Sequence, residues 1–170
     1  MSGKDGKVAF TASENKPYVS YLPASKKALL VVAYHPGDGL NIVIILQSGQ
    51  FGCGPTECKV KVKLDHGKPF YKSFFFPDDG STDKVLTPSS YDFLSKILSA
   101  KTLYVEVPIY QSGQQVLQFN VEGLKWEKPF VYATTGSYVH AAYFCNIKHK
   151  PYPAKYLSKS EMAQVNKANR

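Results

Sequence analysis

The feature that most constrains this chain is a run of six residues, Lys59-Val-Lys-Val-Lys-Leu64. Charged and apolar side chains alternate without a break. Only an extended strand sends successive side chains to opposite faces, so Lys59, Lys61 and Lys63 belong on one side and Val60, Val62 and Leu64 on the other. One face enters a core and the other meets water, which is the habit of an antiparallel sheet. The lysine row also suits a strand that discourages edge pairing, or a ladder that binds a ligand.

Just before this strand stands Phe51-Gly-Cys-Gly-Pro-Thr-Glu-Cys58. The spacing between Cys53 and Cys58, folded about a Gly-Pro turn, brings two Cα atoms within disulfide range. Free thiols and a zinc site are the alternatives, although no second pair of ligands accompanies these cysteines. A disulfide would place the chain in an oxidising compartment. The third cysteine, Cys145, sits in an aromatic run and suits a small buried apolar side chain.

Strand signals recur along the rest of the sequence, punctuated by Gly, Pro, Asn and Asp. They predict strands over residues 8–12, 18–22, 28–34, 41–46, 59–64, 70–76, 103–109 and 115–121, with further pairing near 130–134 and 138–144. Residues 65–67 and 111–113 read as hairpin turns. Residues 42–46 are apolar on both faces and predict a central or doubly covered strand. The three rings of residues 74–76 must alternate between core and surface. Thr87-Pro88 predicts a helix start, with Tyr91, Leu94, Ile97 and Leu98 on its inner face. A second, short helix is expected from Ser158, where Ser158 and Glu161 form a capping box. The fold class expected is mainly β: an antiparallel β-sandwich with one packed helix and a short C-terminal helix. The expected organisation is N-terminal strands over 1–26, a sandwich core over 27–146 and a basic extension over 147–170.

Charge separates the same regions. The net charge is +8, and residues 125–170 hold eight of the 21 Lys and Arg but two of the 13 acids. That quarter is therefore +6 and the remainder only +2. Lys148, Lys150, Tyr152, Lys155, Tyr156 and Lys159 interleave cations with rings, a mixture that can hold an anionic or protein partner. A solubilising tail is the plainer alternative, and a nucleic-acid contact a further one.

Catalytic signals are missing from the sequence. His35, His66, His140 and His149 have no metalloprotease spacing and no neighbouring nucleophile motif. Asp78, Asp79 and Asp83 lack the order of a calcium loop and read as a polar turn. No phosphate-binding glycine loop occurs, and no cofactor is expected. The apolar runs are far shorter than a membrane-spanning helix needs. The first seven residues, Met1-Ser-Gly-Lys-Asp-Gly-Lys7, carry no apolar leader segment.

One resemblance is carried by Gln50–Cys53, Cys58–Pro69, Gly80–Leu86, Tyr91–Leu98, Val105–Gly113 and Val116–Trp126. Over residues 27–126 the chain is similar to a group of uncharacterised exported proteobacterial proteins. More remotely it resembles the invasion-associated locus B family of periplasmic β-sandwich proteins. The match is one of pattern and turn residues. It implies export, a cysteine-containing sandwich and no enzyme activity; the extension from Lys128 departs from it. The expected role is a non-enzymatic periplasmic or secreted binding protein, its signal removed, contacting a protein or anionic partner. A cytosolic chain, and a nucleic-acid-binding or effector-type protein acting through the basic quarter, are the alternatives.

Overall fold

The computed structural model describes residues 7–35, 39–88, 90–126, 130–133, 141–145 and 148–149. The chain divides into two compact units, Met1–Leu124 and Lys125–Arg170.

In the first unit, β1 (Lys7–Ala12), β2 (Ala28–His35), β3 (Gly39–Leu46) and β6 (Lys84–Pro88) form one antiparallel sheet in the order β1-β2-β3-β6. A second sheet has the order β5-β4-β7-β8, from β4 (Cys58–Leu64), β5 (Phe70–Phe74), β7 (Thr102–Ile109) and β8 (Gly113–Asn120). Helix α1 (Tyr91–Leu98) joins the sheets in sequence between β6 and β7. In the second unit, β9 (Phe130–Ala133), β10 (Ala141–Cys145) and β11 (Lys148–His149) make a three-stranded sheet. Lys148 and His149, at the start of the expected basic extension, pair with Cys145 and Phe144.

Each four-stranded sheet has one largely buried face, which opens to half burial along β1 in the first sheet and at Phe70 and Lys72 of β5 in the second. Leu30, Val32, Leu40, Ile42, Ile44, Leu46 and Val85 fill that of the first. Val60, Val62, Phe74, Leu103, Val105, Val107, Leu117 and Phe119 fill that of the second. Period-two alternation generates both, since one register keeps every alternate side chain on the same side. Strand β3 has a partner on each side, as its doubly apolar sequence requires. Strand β4 is also interior, between β5 and β7. Its lysines therefore decorate a sheet face and guard no edge.

Two segments differ from their sequence expectation. Thr87 and Pro88 end β6 and do not cap the helix; α1 begins after Ser90, whose side chain makes no cap bond to the backbone. Pro88 is tolerated because β6 is an edge strand, where the missing N–H breaks no ladder. Residues 18–22 are not a strand. Pro17 and Pro23 flank them, and they instead line the edge of β8 with side-chain bonds. Ser20 N–H donates to Ser112 Oγ at 2.9 Å and Ser20 Oγ to the Gln111 carbonyl at 2.9 Å. Asn15 imitates a strand residue there: its amide donates to the Val116 carbonyl at 2.7 Å and its oxygen accepts from Gln118 N–H at 2.9 Å.

Backbone bridges link the two sheets at both margins. Ser13 bridges Phe119 at one. At the other, Phe75 and Leu86 exchange N–H to carbonyl bonds of 2.8 and 2.9 Å. Helix α1 buries Phe93, Leu94 and Ile97. Phe93 meets Phe70 and Phe74 edge-on, with centroids 6.2 and 6.4 Å apart, a favoured aromatic geometry. Phe74 is buried while Phe75 is exposed, so these neighbouring rings do alternate.

Candidate functional site

The expected cysteine pair is brought together. Cys53 and Cys58 stand at disulfide distance, with Cα atoms 5.0 Å apart. The reason lies in the strands around them. Strands β4 and β7 pair from Leu64↔Leu103 to Lys61↔Glu106. Continued further, that register would set Cys58 opposite Ile109. Phe51 pairs with Ile109 instead. Gly52 N–H donates to the Pro108 carbonyl at 2.9 Å and Tyr110 N–H to the Gln50 carbonyl at 2.9 Å. Residues 50–52 thus become β7's neighbour where β4 parts from it, and the cysteine pair clips them to the start of β4. Gly52 allows this close approach: a Cβ there would lie 3.2 Å from Tyr110 N and 3.3 Å from Ile109 C, so the β7 backbone would have to give by a few tenths of an ångström.

Of the basic residues expected to bind a partner, Lys148 lies in β11. Lys150, Tyr152, Lys155, Tyr156 and Lys159 lie outside the described residues, as does the helix expected from Ser158.

A different basic surface is built in full by the second sheet. Lys59, Lys61 and Lys63 project from the outer face of β4. Register then decides their company. Lys61 is opposite Tyr71 of β5 and Glu106 of β7, and Lys63 is opposite Tyr104. Farther across, Val116 and Gln118 of β8 face Glu106 and Tyr104. Lys61 Nζ lies 3.3 Å from Glu106 Oε2, an ion pair open to water and therefore weak. Lys63 Nζ lies 5.5 Å from the centroid of the Tyr104 ring, within cation–π range. Tyr71 is 71% exposed. A depression of about 270 Å³ runs between these side chains, lined by Lys61, Lys63, Pro69, Tyr104, Glu106 and Val116. Glu57 shares this face, accepting from the hydroxyl of Ser73 opposite Lys59; three lysines against two glutamates leave it positive, with rings on either side of the row.

Such a face can attract and orient an anion. Another groove on this unit, about 520 Å³, lies along α1 beside Asp65, Asp92, Ser95, Lys96 and Ser99. Asp65 is committed to structure there: its Oδ1 accepts from Lys101 N–H at 3.0 Å and Thr102 N–H at 2.7 Å. The acidic stretch 78–83 forms a turn. Asp79 accepts from Ser81 N–H at 2.9 Å and from Lys84 Nζ at 2.8 Å. The Lys84 hydrogen bond, then those of Ser81, hold the Asp79 carboxyl far below its ordinary range, and the same contact raises Lys84. Among the described residues, no three His, Cys, Asp or Glu side chains converge as metal ligands. No helix among them is long and apolar enough to cross a membrane.

Tyr71, Tyr104 and Glu106 went unremarked in the sequence. Alternation marks each as outward, yet only the pairing of β4 with both β5 and β7 puts them around the lysines. In comparisons with family models, curated proteins and solved structures, nothing matches this chain, so no family is assigned to it.

Proposed function

We propose that this protein is a non-enzymatic binding module that holds a protein or other anionic partner against the outer face of β4, β5 and β7. The observation that carries the reading is the row Lys59–Lys61–Lys63 with Tyr71 on one flank and Tyr104 on the other. Cations and rings mounted on an interior strand are held in fixed relation, so a partner meets them with little side-chain ordering left to do. Electrostatic attraction would speed the encounter and make it sensitive to salt. In this proposal the two sheets pack their buried faces together as a sandwich. Cys53 and Cys58 are joined as a disulfide, and the protein works in the periplasm or outside the cell, in keeping with the exported proteins it resembles.

The test is binding to immobilised poly-glutamate at two ionic strengths, comparing the unaltered chain with a Lys59→Glu/Lys63→Glu variant. The expected result is salt-sensitive binding that falls at least tenfold on charge reversal. Equal binding by both proteins, or none by either, defeats the proposal.

A second reading rests on the concentration of charge in residues 125–170, which carry +6 of the +8. There the protein would bind nucleic acid or act as an effector through Lys148, Lys150, Tyr152, Lys155, Tyr156 and Lys159. A chain ending before His149 separates the two. If it stays folded and loses salt-sensitive binding to a single-stranded oligonucleotide, the second reading holds.

A further inference from the structure

At one end of the first unit three connections come together: residues 13–27 between β1 and β2, residues 47–57 between β3 and β4, and residues 110–112 between β7 and β8. They are tied to one another. Ser20 bonds to Ser112 and Gln111. Lys26 N–H donates to Ser48 Oγ at 3.0 Å, and Tyr110 N–H to the Gln50 carbonyl at 2.9 Å. The Tyr21 hydroxyl lies 3.5 Å from where a Cβ on Gly49 would stand, so the first loop rests on the second. Pro17 and Val19 are buried and anchor the first loop from below.

Beyond those anchors the loop is apolar and exposed. Tyr21, Leu22, Pro23 and Ala24 are four successive exposed residues. On the same loop Tyr18 is 63% exposed, and on the neighbouring turn Tyr110 is 50% exposed. Connecting loops are ordinarily polar, and a run of exposed apolar side chains marks a contact surface. The backbone at the tip suits a medium poor in water: Leu22 N–H is bonded to the Val19 carbonyl at 3.0 Å, and Pro23 has no N–H. Ser25 closes the loop by donating from its hydroxyl to the Pro17 carbonyl.

Charge around this tip has one sign. Residues 15–27, 47–56 and 108–115 contain Lys16, Lys26 and Lys27, all exposed, and no acid. The acids that bound these stretches lie farther along the second sheet: Glu14 N–H bonds to the Gln118 carbonyl, and Glu57 accepts from Ser73.

We propose that this loop tip docks the protein on an anionic lipid bilayer, using none of the residues of the lysine row on β4. Leu22, Pro23 and Ala24 enter the boundary between headgroups and acyl chains. The rings of Tyr18, Tyr21 and Tyr110 lie at headgroup depth, where a side chain with an apolar body and a hydroxyl is favoured. Lys16, Lys26 and Lys27 meet the acidic headgroups. A protein partner would need an apolar socket ringed by acids and cut to this tip. An anionic bilayer presents that layering everywhere on its surface, with acids outside and hydrocarbon beneath. With a single loop tip inserted, adsorption is reversible and weakens with salt.

Co-sedimentation of the full chain with phosphatidylcholine vesicles, with and without phosphatidylserine, tests this. Binding is expected on the mixed vesicles and should be about tenfold weaker on phosphatidylcholine alone. Tyr21→Ser/Leu22→Ser leaves the charge unchanged. It should lower partitioning about fivefold or more, with an unaltered circular dichroism spectrum. Depth gives a second readout, which stands even if that variant folds poorly. In Leu22→Trp, added tryptophan emission should shift to the blue on mixed vesicles and be quenched by brominated acyl chains; in Lys59→Trp it should not. Three results would each overturn the proposal: no binding by the unaltered chain, a folded serine variant that binds as before, or a tryptophan at position 22 quenched no more than one at 59. Vesicles left unbound while poly-glutamate is bound by the unaltered chain and lost by the serine variant would overturn it too, by assigning the tip to an acidic protein.

Discussion

The two four-stranded sheets share an inner chemistry and differ in their outer one. Inside, both present branched aliphatic side chains at alternate positions, joined in the second sheet by Phe74 and Phe119. Outside, the first sheet shows Val8, Phe10, Leu29, Val31, Val43 and Ile45, while the second shows Lys59, Lys61, Lys63, Tyr71, Tyr104 and Glu106. Burial explains the inner likeness, because any core selects apolar volume. It does not explain the outer contrast. A solvated face needs no apolar row. The proposed binding rests on this difference between the outer faces.

The largest effects should come from the inner faces, where the sheets are alike. Ile44→Ala in the first sheet and Phe119→Ala in the second each remove a side chain with almost no exposure. Each is expected to cost about 2–5 kcal/mol, measured by urea unfolding. A large loss from one and none from the other would show that the sheets do not share one cooperative core.

A smaller effect is expected at the clip beside β7. Replacing Cys53 and Cys58 by Ser should cost roughly 2 kcal/mol in non-reducing buffer, because the closed loop is short. Intact mass after alkylation should show one reactive thiol without reductant and three with it. Three alkylated thiols without reductant would mean the pair is not oxidised.

The outer faces should tolerate what the inner faces cannot. Phe10→Lys on the first sheet and Lys63→Val on the second are surface changes, each expected to shift stability by no more than about 0.5 kcal/mol. Urea unfolding reads both, and anion binding should also fall for Lys63→Val. If Phe10→Lys unfolded the protein, its ring would be structural and the contrast between the outer faces would lose its meaning.

The smallest effect concerns the ion pair at the margin of the apolar face. Asp79 ionises far more readily in the folded chain than in the unfolded one, because Lys84 and Ser81 hydrogen-bond to its carboxylate. The sign follows from the lowered value. The pair's contribution is complete above the ordinary carboxylate range and is lost as pH falls through the folded-state value. The slope of stability against pH in acid should therefore be shallower for Asp79→Asn than for the unaltered chain. Because both groups are open to solvent, salt should reduce that difference.

Much of this architecture is legible in the sequence, and its limits are physical. The alternation in Lys59–Leu64 reports the burial of β4 because a strand's side chains obey a local, two-residue period. The turns at Asp65–Gly67 and Gln111–Gly113 are legible for a similar reason. Asp65 and Gln111 adopt positive φ (46° and 55°), and Gly113 follows at 72°, in a region few residues tolerate. Strand β6 escaped notice because Thr87-Pro88 imitates a helix start, and nothing local reveals that Pro88 will lie at a sheet edge. The irregular path of residues 18–22 escaped because the Ser and Asn contacts that hold it reach residues 111–118, far along the chain.

The sequence by itself determined most of the segments that extend, which side of them is apolar, where the hairpins turn and that two cysteines flank a tight loop. These follow from dihedral preferences and side-chain period, both of which act over a few residues. Only the tertiary structure decided that residues 50–52 replace β4 beside β7 and that Tyr71 and Tyr104 flank the lysine row. Those facts depend on which strand becomes whose neighbour. That choice is made by burying faces contributed from distant parts of the chain, and no short window of sequence contains both partners.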